Sequence, residues 1–183
     1  ATWLRWLLPL STMFRLVSEF RRRRYQSGRK IPYRSSVPVV VVGNLTAGGT
    51  GKTPLTLTLC QFLVEQGYKP AIISRGYGGK SAAYPLHVTY DTAPAASGDE
   101  ALLLALNSDV PIVVDPDRSQ AARYVTTQFD VDVILCDDGL QHYALARDIE
   151  IAVIDGTRGF GNGQLLPAGP LRESKERLAE VDY

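Results

Sequence analysis

The sequence predicts an α/β protein, a parallel sheet with helices on both faces, preceded by an amphipathic helix. Three observations carry that prediction. From residue 37 onward, short β-branched apolar runs alternate with stretches of helical character, and continuous apolar strands separated by helices indicate a parallel sheet buried on both sides. A glycine-rich stretch, TAGGTGKTP at 46–54, falls between one such strand and the following helix. The first 34 residues read differently, as an apolar stripe at helical spacing that ends in a run of arginines. With 183 residues and 45% hydrophobic content, the chain has enough apolar material for a real core. The expected division is a basic amphipathic arm and linker over 1–34 and one core domain over 35–183.

In the arm, apolar residues recur at 3, 6, 7, 10, 13, 14, 17 and 20, and Pro9 is expected to restart the helix near Ser11. Arg5, Arg15 and Glu19 interrupt the apolar runs well short of the ~20 residues a spanning helix needs. The charges follow the apolar part and no small-residue cleavage site comes after it, which argues against a cleaved signal. The pattern suits a helix lying in a membrane interface, with Trp3 and Trp6 near one end and Arg21 to Arg24 at the other. The bland alternative is a helix docked on its own domain with a solvated arginine run. Net charge is +1 overall, yet residues 1–34 carry +8 and the remainder −7. A basic arm on an acidic body points to a negatively charged partner surface, a membrane or a nucleic acid. A nucleic-acid reading lacks a second basic surface or an aromatic platform, so an anionic membrane surface is the expected partner. No obligate protein partner is implied. Cys60 and Cys136 sit among apolar residues without disulfide or metal spacing, which favours a reducing compartment.

Strands are expected at 37–44, 70–74, 110–115, 131–138 and 149–155, each a compact apolar run. Helices are expected at 52–67, with Pro54 tolerated in the first turn, and at 99–107 and 118–128; residues 26–36 read as the linker.

Between the first strand and helix, Thr46, Ala47, Gly48, Gly49, Thr50, Gly51, Lys52 and Thr53 match the phosphate-loop pattern except at its first position, which should be Gly. Backbone amides in a tight glycine turn form an anion nest, and the helix start adds its positive dipole. Lys52 is then placed to bridge outer phosphates and the Thr53 hydroxyl to ligate Mg²⁺. The fold expected is a P-loop nucleotide triphosphatase type. A carboxylate at the end of a neighbouring strand should complete the metal site, and Asp137 and Asp138 follow an apolar run. An Asp-Asp-Gly turn is the alternative, and spacing does not say which aspartate touches the metal. Asp99 and Glu100 open a helix after Gly98, where the bland role is to complement the helix dipole. His142 reads as a packed polar residue, and Arg75 and Arg118 as loop cations able to hold a substrate phosphate.

Taken together, VVVVGNLTAGGTGKTP, SRGYGGK, GDE, CDDGLQHYALARDIEIAVIDG and FGNGQLLPAGPLRE, in this order, resemble the tetraacyldisaccharide 4'-kinases of lipid A biosynthesis. The resemblance covers almost the whole chain. It implies transfer of the γ-phosphate of ATP, with Mg²⁺, to the 4'-hydroxyl of a tetraacylated disaccharide 1-phosphate at the cytoplasmic face of a Gram-negative inner membrane. It implies that the variant first position, Thr46, belongs to the family's loop. It also implies that Asp99 is the catalytic aspartate, accepting the hydroxyl proton, with Lys52 and Asp138 beside it. Glu100 joins Asp137, Asp138 and Thr53 on the metal side, and Asn44, Arg75, Arg118, Gln141, His142 and Glu173 fall at substrate or site-lining positions. The family continues beyond ERLAEVDY into a second lobe carrying a histidine thought to assist the aspartate, and another strand is expected to begin near Tyr183. The competing class is a membrane-recruited nucleotide-dependent switch or metallochaperone. It is disfavoured because no guanine-reading Asn-Lys-x-Asp segment and no Cys/His cluster occur.

Overall fold

The computed structural model describes residues 6–183; Trp3 and Arg5 of the arm lie outside the described residues. The chain runs α1 (Leu8–Gln26), β1 (Val39–Gly43), α2 (Lys52–Glu65), β2 (Pro70–Ser74), β3 (Leu86–Val88), α3 (Pro94–Ser97), α4 (Asp99–Leu106), β4 (Ile112–Val114), α5 (Arg118–Gln128), β5 (Val133–Asp137) and β6 (Ile149–Ala152), then a 3₁₀ turn at Lys175–Glu180. The strands form one sheet in the order β3-β4-β2-β5-β1-β6, parallel except for β3. Five expected strands are present, β2 with the expected bounds and the other four trimmed. β3 was not expected, because a three-residue antiparallel edge strand has no apolar run to announce it.

Side chains alternate across the sheet with period two. Val39, Val41, Ala71, Ile73, Val113, Ile134 and Cys136 meet Ala121, Ala122 and Val125 of α5 on one face. Ile72, Ile112, Val114 and Leu135 meet Cys60 of α2 and Ala101 and Leu104 of α4 on the other. Most of these residues are fully buried, each large one contributing roughly 1.5–3 kcal/mol, so the central strands are held from both sides. β1 has parallel neighbours on each edge, β5 and β6. The loops leaving the carboxyl ends of all three therefore gather at one place.

The arm departs from expectation in where its helix starts, and it realises the docked alternative. Its helix starts at Leu8 with Pro9 in the first turn, where proline is accommodated, so no restart at Ser11 is needed. It also docks on the domain: Ser11 is buried and its hydroxyl donates to the carbonyls of Leu165 and Leu166, while Arg22 and Gln26 reach Glu180 at 2.9 and 3.0 Å. Its large apolar side chains nonetheless face outward, Trp6, Leu10, Met13, Leu16, Val17 and Phe20 being 49–85% exposed. No helix among the described residues is long and apolar enough to cross a membrane. The expected linker is tied down as well, since Tyr33 exchanges backbone hydrogen bonds with Ala144 and Ala146. At the other end, Asp182 and Tyr183 bond through their backbone to Glu150 and Ala152, alongside β6.

Candidate nucleotide and phosphoryl-transfer site

Gly51 precedes α2 in a left-handed conformation, φ 84° and ψ 17°, and no side chain caps the helix start. A Cβ-bearing residue is strained there. The first-turn amides of a helix lack internal partners, so α2 presents open N–H groups and its positive dipole end to the loop. Lys52 and Thr53 are the first two helical residues and both are buried.

Opposite them, β5 ends at Asp137, whose carboxylate is fully buried. It accepts the hydroxyls of Thr53 (3.2 Å) and Thr56 (3.1 Å). Burial, with the negative charges of Asp138 and Glu100 adding to it, pushes its carboxyl up to about 6. Asp138 turns the chain at φ 50°, a left-handed position aspartate tolerates, and its side chain faces a different set of partners. Arg172 Nη1 lies 2.9 Å from both of its oxygens and Lys52 Nζ 3.8 Å from one, while Arg118 donates to its carbonyl at 3.0 Å. The adjacent aspartates are thus separated in role: one against hydroxyls, the other against cations.

The loop is braced from below and behind. Asn44 is fully buried and donates to Thr50 Oγ1 at 2.9 Å and the Gly48 carbonyl at 3.3 Å. Its amide nitrogen thus braces the loop from beneath, while its Oδ1 has no hydrogen-bond partner among the described residues; the expected substrate contact is replaced here by a contact with the loop. Thr46 and Ala47, expected among the phosphate contacts, are paired with the segment 170–172 instead. The Ala47 amide donates to Pro170 O at 2.7 Å, and Arg172 N donates to Leu45 O at 2.6 Å. Of the two, the Ala47 amide is taken up by this pairing and is not available to an anion.

A cleft of about 520 Å³ opens at Asp138 and Arg172. Phe14, Val17 and Arg21 of α1 form one wall, and Arg75, Tyr77, Glu100, Arg118, Gln141, His142 and Glu173 line the rest. Gln141 bridges the Asn44 carbonyl (3.0 Å) and Glu173 (3.2 Å), and Tyr143 donates to the same carboxylate. Burial and the Glu173 charge push the Tyr143 hydroxyl upward. His142 Nε2 lies 3.3 Å from Asp117 Oδ1. Desolvation, then the Arg118 charge, lower it to about 4, so it is neutral near pH 7. Asp99 and Glu100 open α4 exposed and without a capping hydrogen bond; Asp99 has no hydrogen-bond partner among the described residues.

Four contributors carried no assigned role in the sequence reading. Arg172 lay inside the distinctive LLPAGPLRE segment, and Thr56 sits three residues from Thr53 on the same helical face. Tyr143 follows His142, and Arg158, whose Nη2 donates to the Gly49 carbonyl at 2.9 Å, had no local signal.

An open helix start facing a carboxylate on the adjoining strand is the arrangement of phosphate-loop nucleotide-binding proteins, and fold and site put this chain in that class. Comparison narrows it further. The profile of the family described as tetraacyldisaccharide-1-P 4'-kinase matches residues 3–183, and the chain belongs to that family. It is 51% identical over 182 residues to the tetraacyldisaccharide 4'-kinase of Psychromonas ingrahamii, covering 100% of this chain and 57% of the relative. It is 55% identical to that of Photobacterium profundum, covering 96% and 51%. The chain thus spans about half the length of the curated relatives it matches. A crystal structure of LpxK from Aquifex aeolicus in complex with ATP superposes with a TM-score of 0.87 at 33% identity, over 98% of this chain and 57% of that one.

Proposed function

We propose that this chain is the nucleotide-binding core of an ATP-dependent kinase that phosphorylates the 4'-hydroxyl of tetraacyldisaccharide 1-phosphate, yielding lipid IVA. The observation that carries the reading is the open start of α2, with Lys52 and Thr53 buried against the Asp137–Asp138 pair, in a chain matched by the kinase family over nearly its whole length. Amides from Gly48 onward and Lys52 would hold the phosphates of ATP. The donor set fits Mg²⁺, a hard cation satisfied by one or two carboxylates plus phosphate oxygens. Thr53, Asp137 and Asp138 would hold it, with Glu100 nearby. The poorly solvated Asp137 carboxylate gains a counter-charge when the ion binds. When bound, Mg²⁺ offsets the charge gathering on the phosphoryl oxygens.

Asp99, exposed at the loop's side of α4, would accept the proton of the attacking hydroxyl, a role typically worth ~10² to 10⁴ in rate. Arg75, Arg118 and Arg21 supply positive charge along the cleft for an anionic substrate. The outward stripe of α1, ending in Arg23 and Arg24, supports insertion of this face into the cytoplasmic surface of an inner membrane. Because α1 also forms a wall of the cleft, an acylated substrate would enter from the lipid without crossing water.

The test uses the full-length protein with labelled ATP and a panel of lipid disaccharides. Label on the 4'-oxygen of tetraacyldisaccharide 1-phosphate is expected. Release of phosphate to water alone, or transfer to a protein, would overturn the reading.

A further inference from the structure

β6 lies beside β1 and parallel to it, so the segment leaving β6 emerges at the same end of the sheet as the phosphate loop. The pairing continues past the strand, Val153 N donating to Gly43 O at 2.8 Å. The chain then turns on Asp155. One of its oxygens accepts the main-chain amides of Thr157 (2.9 Å) and Arg158 (3.1 Å), and the other accepts Arg158 Nε at 2.8 Å. A single carboxylate therefore fixes both the backbone and the side chain of this arginine. Its far end reaches the loop: Nη2 donates to the Gly49 carbonyl at 2.9 Å. Nη1 lies 3.6 Å from the point a Cβ would occupy at Gly48, and it has no acceptor among the described residues.

Stability is a poor explanation for this ordering. The side chain is 67% exposed, and exposed ion pairs contribute little against the rotamer entropy of a long side chain. The other cations near the loop are committed elsewhere, Lys52 and Arg172 both converging on Asp138. Arg158 approaches the glycine backbone itself. In a phosphate-binding turn the amides face the anion and the carbonyls face away, so a donor on the Gly49 carbonyl both holds that orientation and brings positive charge to the rim. A planar guanidinium with a spare N–H edge suits phosphate oxygens better than an ammonium does.

We propose that Arg158 is a phosphate-binding arginine, supplied in cis by the segment after β6, which braces the loop at Gly49 and offers its Nη1 to the outer phosphates of a nucleoside triphosphate. The inference rests on the nucleotide-binding reading above. Its test is calorimetric titration of the full-length protein with a non-hydrolysable Mg-ATP analogue and with AMP, comparing wild type, Arg158→Gln and Arg158→Lys. Gln retains a donor for the Gly49 carbonyl without the charge, and Lys retains the charge. Arg158→Gln is expected to weaken the triphosphate about tenfold and AMP hardly at all, as for one lost charge-assisted contact, while Arg158→Lys recovers most of the loss. Equal losses for the triphosphate and for AMP in Arg158→Gln would reduce Arg158 to a tether of the loop, and unchanged triphosphate affinity in Arg158→Gln would remove it from the site; either overturns the proposal. Failure of the wild type to take up the analogue would instead sink the nucleotide reading. Matching thermal midpoints of the nucleotide-free proteins exclude misfolding as the cause.

Discussion

At the scale of single residues, Lys52 is proposed to bind and Asp99 to react, and kinetics can tell the two roles apart. Lys52→Ala in the full-length protein should lower ATP-dependent phosphorylation at least about a hundredfold, measured by label transfer; retained activity would remove the loop from the chemistry. Asp99→Asn should lower turnover by about 10² to 10⁴ while nucleotide affinity stays within about threefold. Equal losses would mark Asp99 as a helix-dipole partner only. Burial sets Asp137 and His142 against each other in pH dependence. Between the ordinary aspartate value of 3.8 and about 6, the folded chain holds a proton at Asp137 that the unfolded chain has released, so stability falls as pH rises. Between about 4 and the ordinary histidine value of 6.5, the unfolded chain binds a proton that buried His142 refuses, so stability rises with pH. Asp137→Asn should therefore stabilise the nucleotide-free protein by up to about 3 kcal/mol near pH 7.5, with no gain below about pH 4. It should also unmask the rising limb from His142. Urea titrations in the presence of a chelator measure this, and a variant no more stable than wild type near neutrality would contradict it. None of this was readable from Asp-Asp-Gly alone, because adjacent residues differ only through the partners that φ 50° at Asp138 gives them.

At the scale of elements, α1 and the start of α4 make opposite demands. Gly98 precedes α4 at φ 81° and ψ 154°, a region essentially reserved for glycine. A Cβ placed there would stand 2.2 Å from the Tyr77 carbonyl oxygen. Gly98→Ala should cost at least about 3 kcal/mol by denaturant unfolding, and a loss below about 1 kcal/mol would mean the SRGYGG loop yields easily. The sequence flagged GDE by its acids, but the glycine is what seats them beside the cleft. For α1, the arginine run divides its labour: Arg22 pairs with Glu180 and Arg23 with Glu19. Replacing Met13, Val17 and Phe20 by Ser, or Arg21 to Arg24 by Gln, should release the full-length protein from anionic vesicles in co-sedimentation, at about 1 kcal/mol per basic residue. Binding unaffected by either change and by salt would refute a membrane role for this helix.

For the whole molecule, what could be read in advance was whatever repeats or runs locally. Valine-rich strands, the glycine turn and the Asp137–Asp138 pair announce themselves over a few residues, and the parallel sheet follows from their alternation with helices. What stayed hidden depends on pairing between distant segments: the antiparallel edge β3, the partners on which α1 docks, the burial of Asn44, and the approach of Arg158 from beyond β6. The most consequential is the return of residues 170–172 onto residues 45–47, which also delivers Arg172 to Asp138. Strand, turn and helix, cut out as residues 39–65 and grafted to a foreign scaffold, would keep the motif yet lose its rear buttress and its opposing charge. Anyone borrowing this cradle for a designed enzyme would have to carry over three separated stretches of chain, because the pocket belongs to their meeting point and to none of them singly.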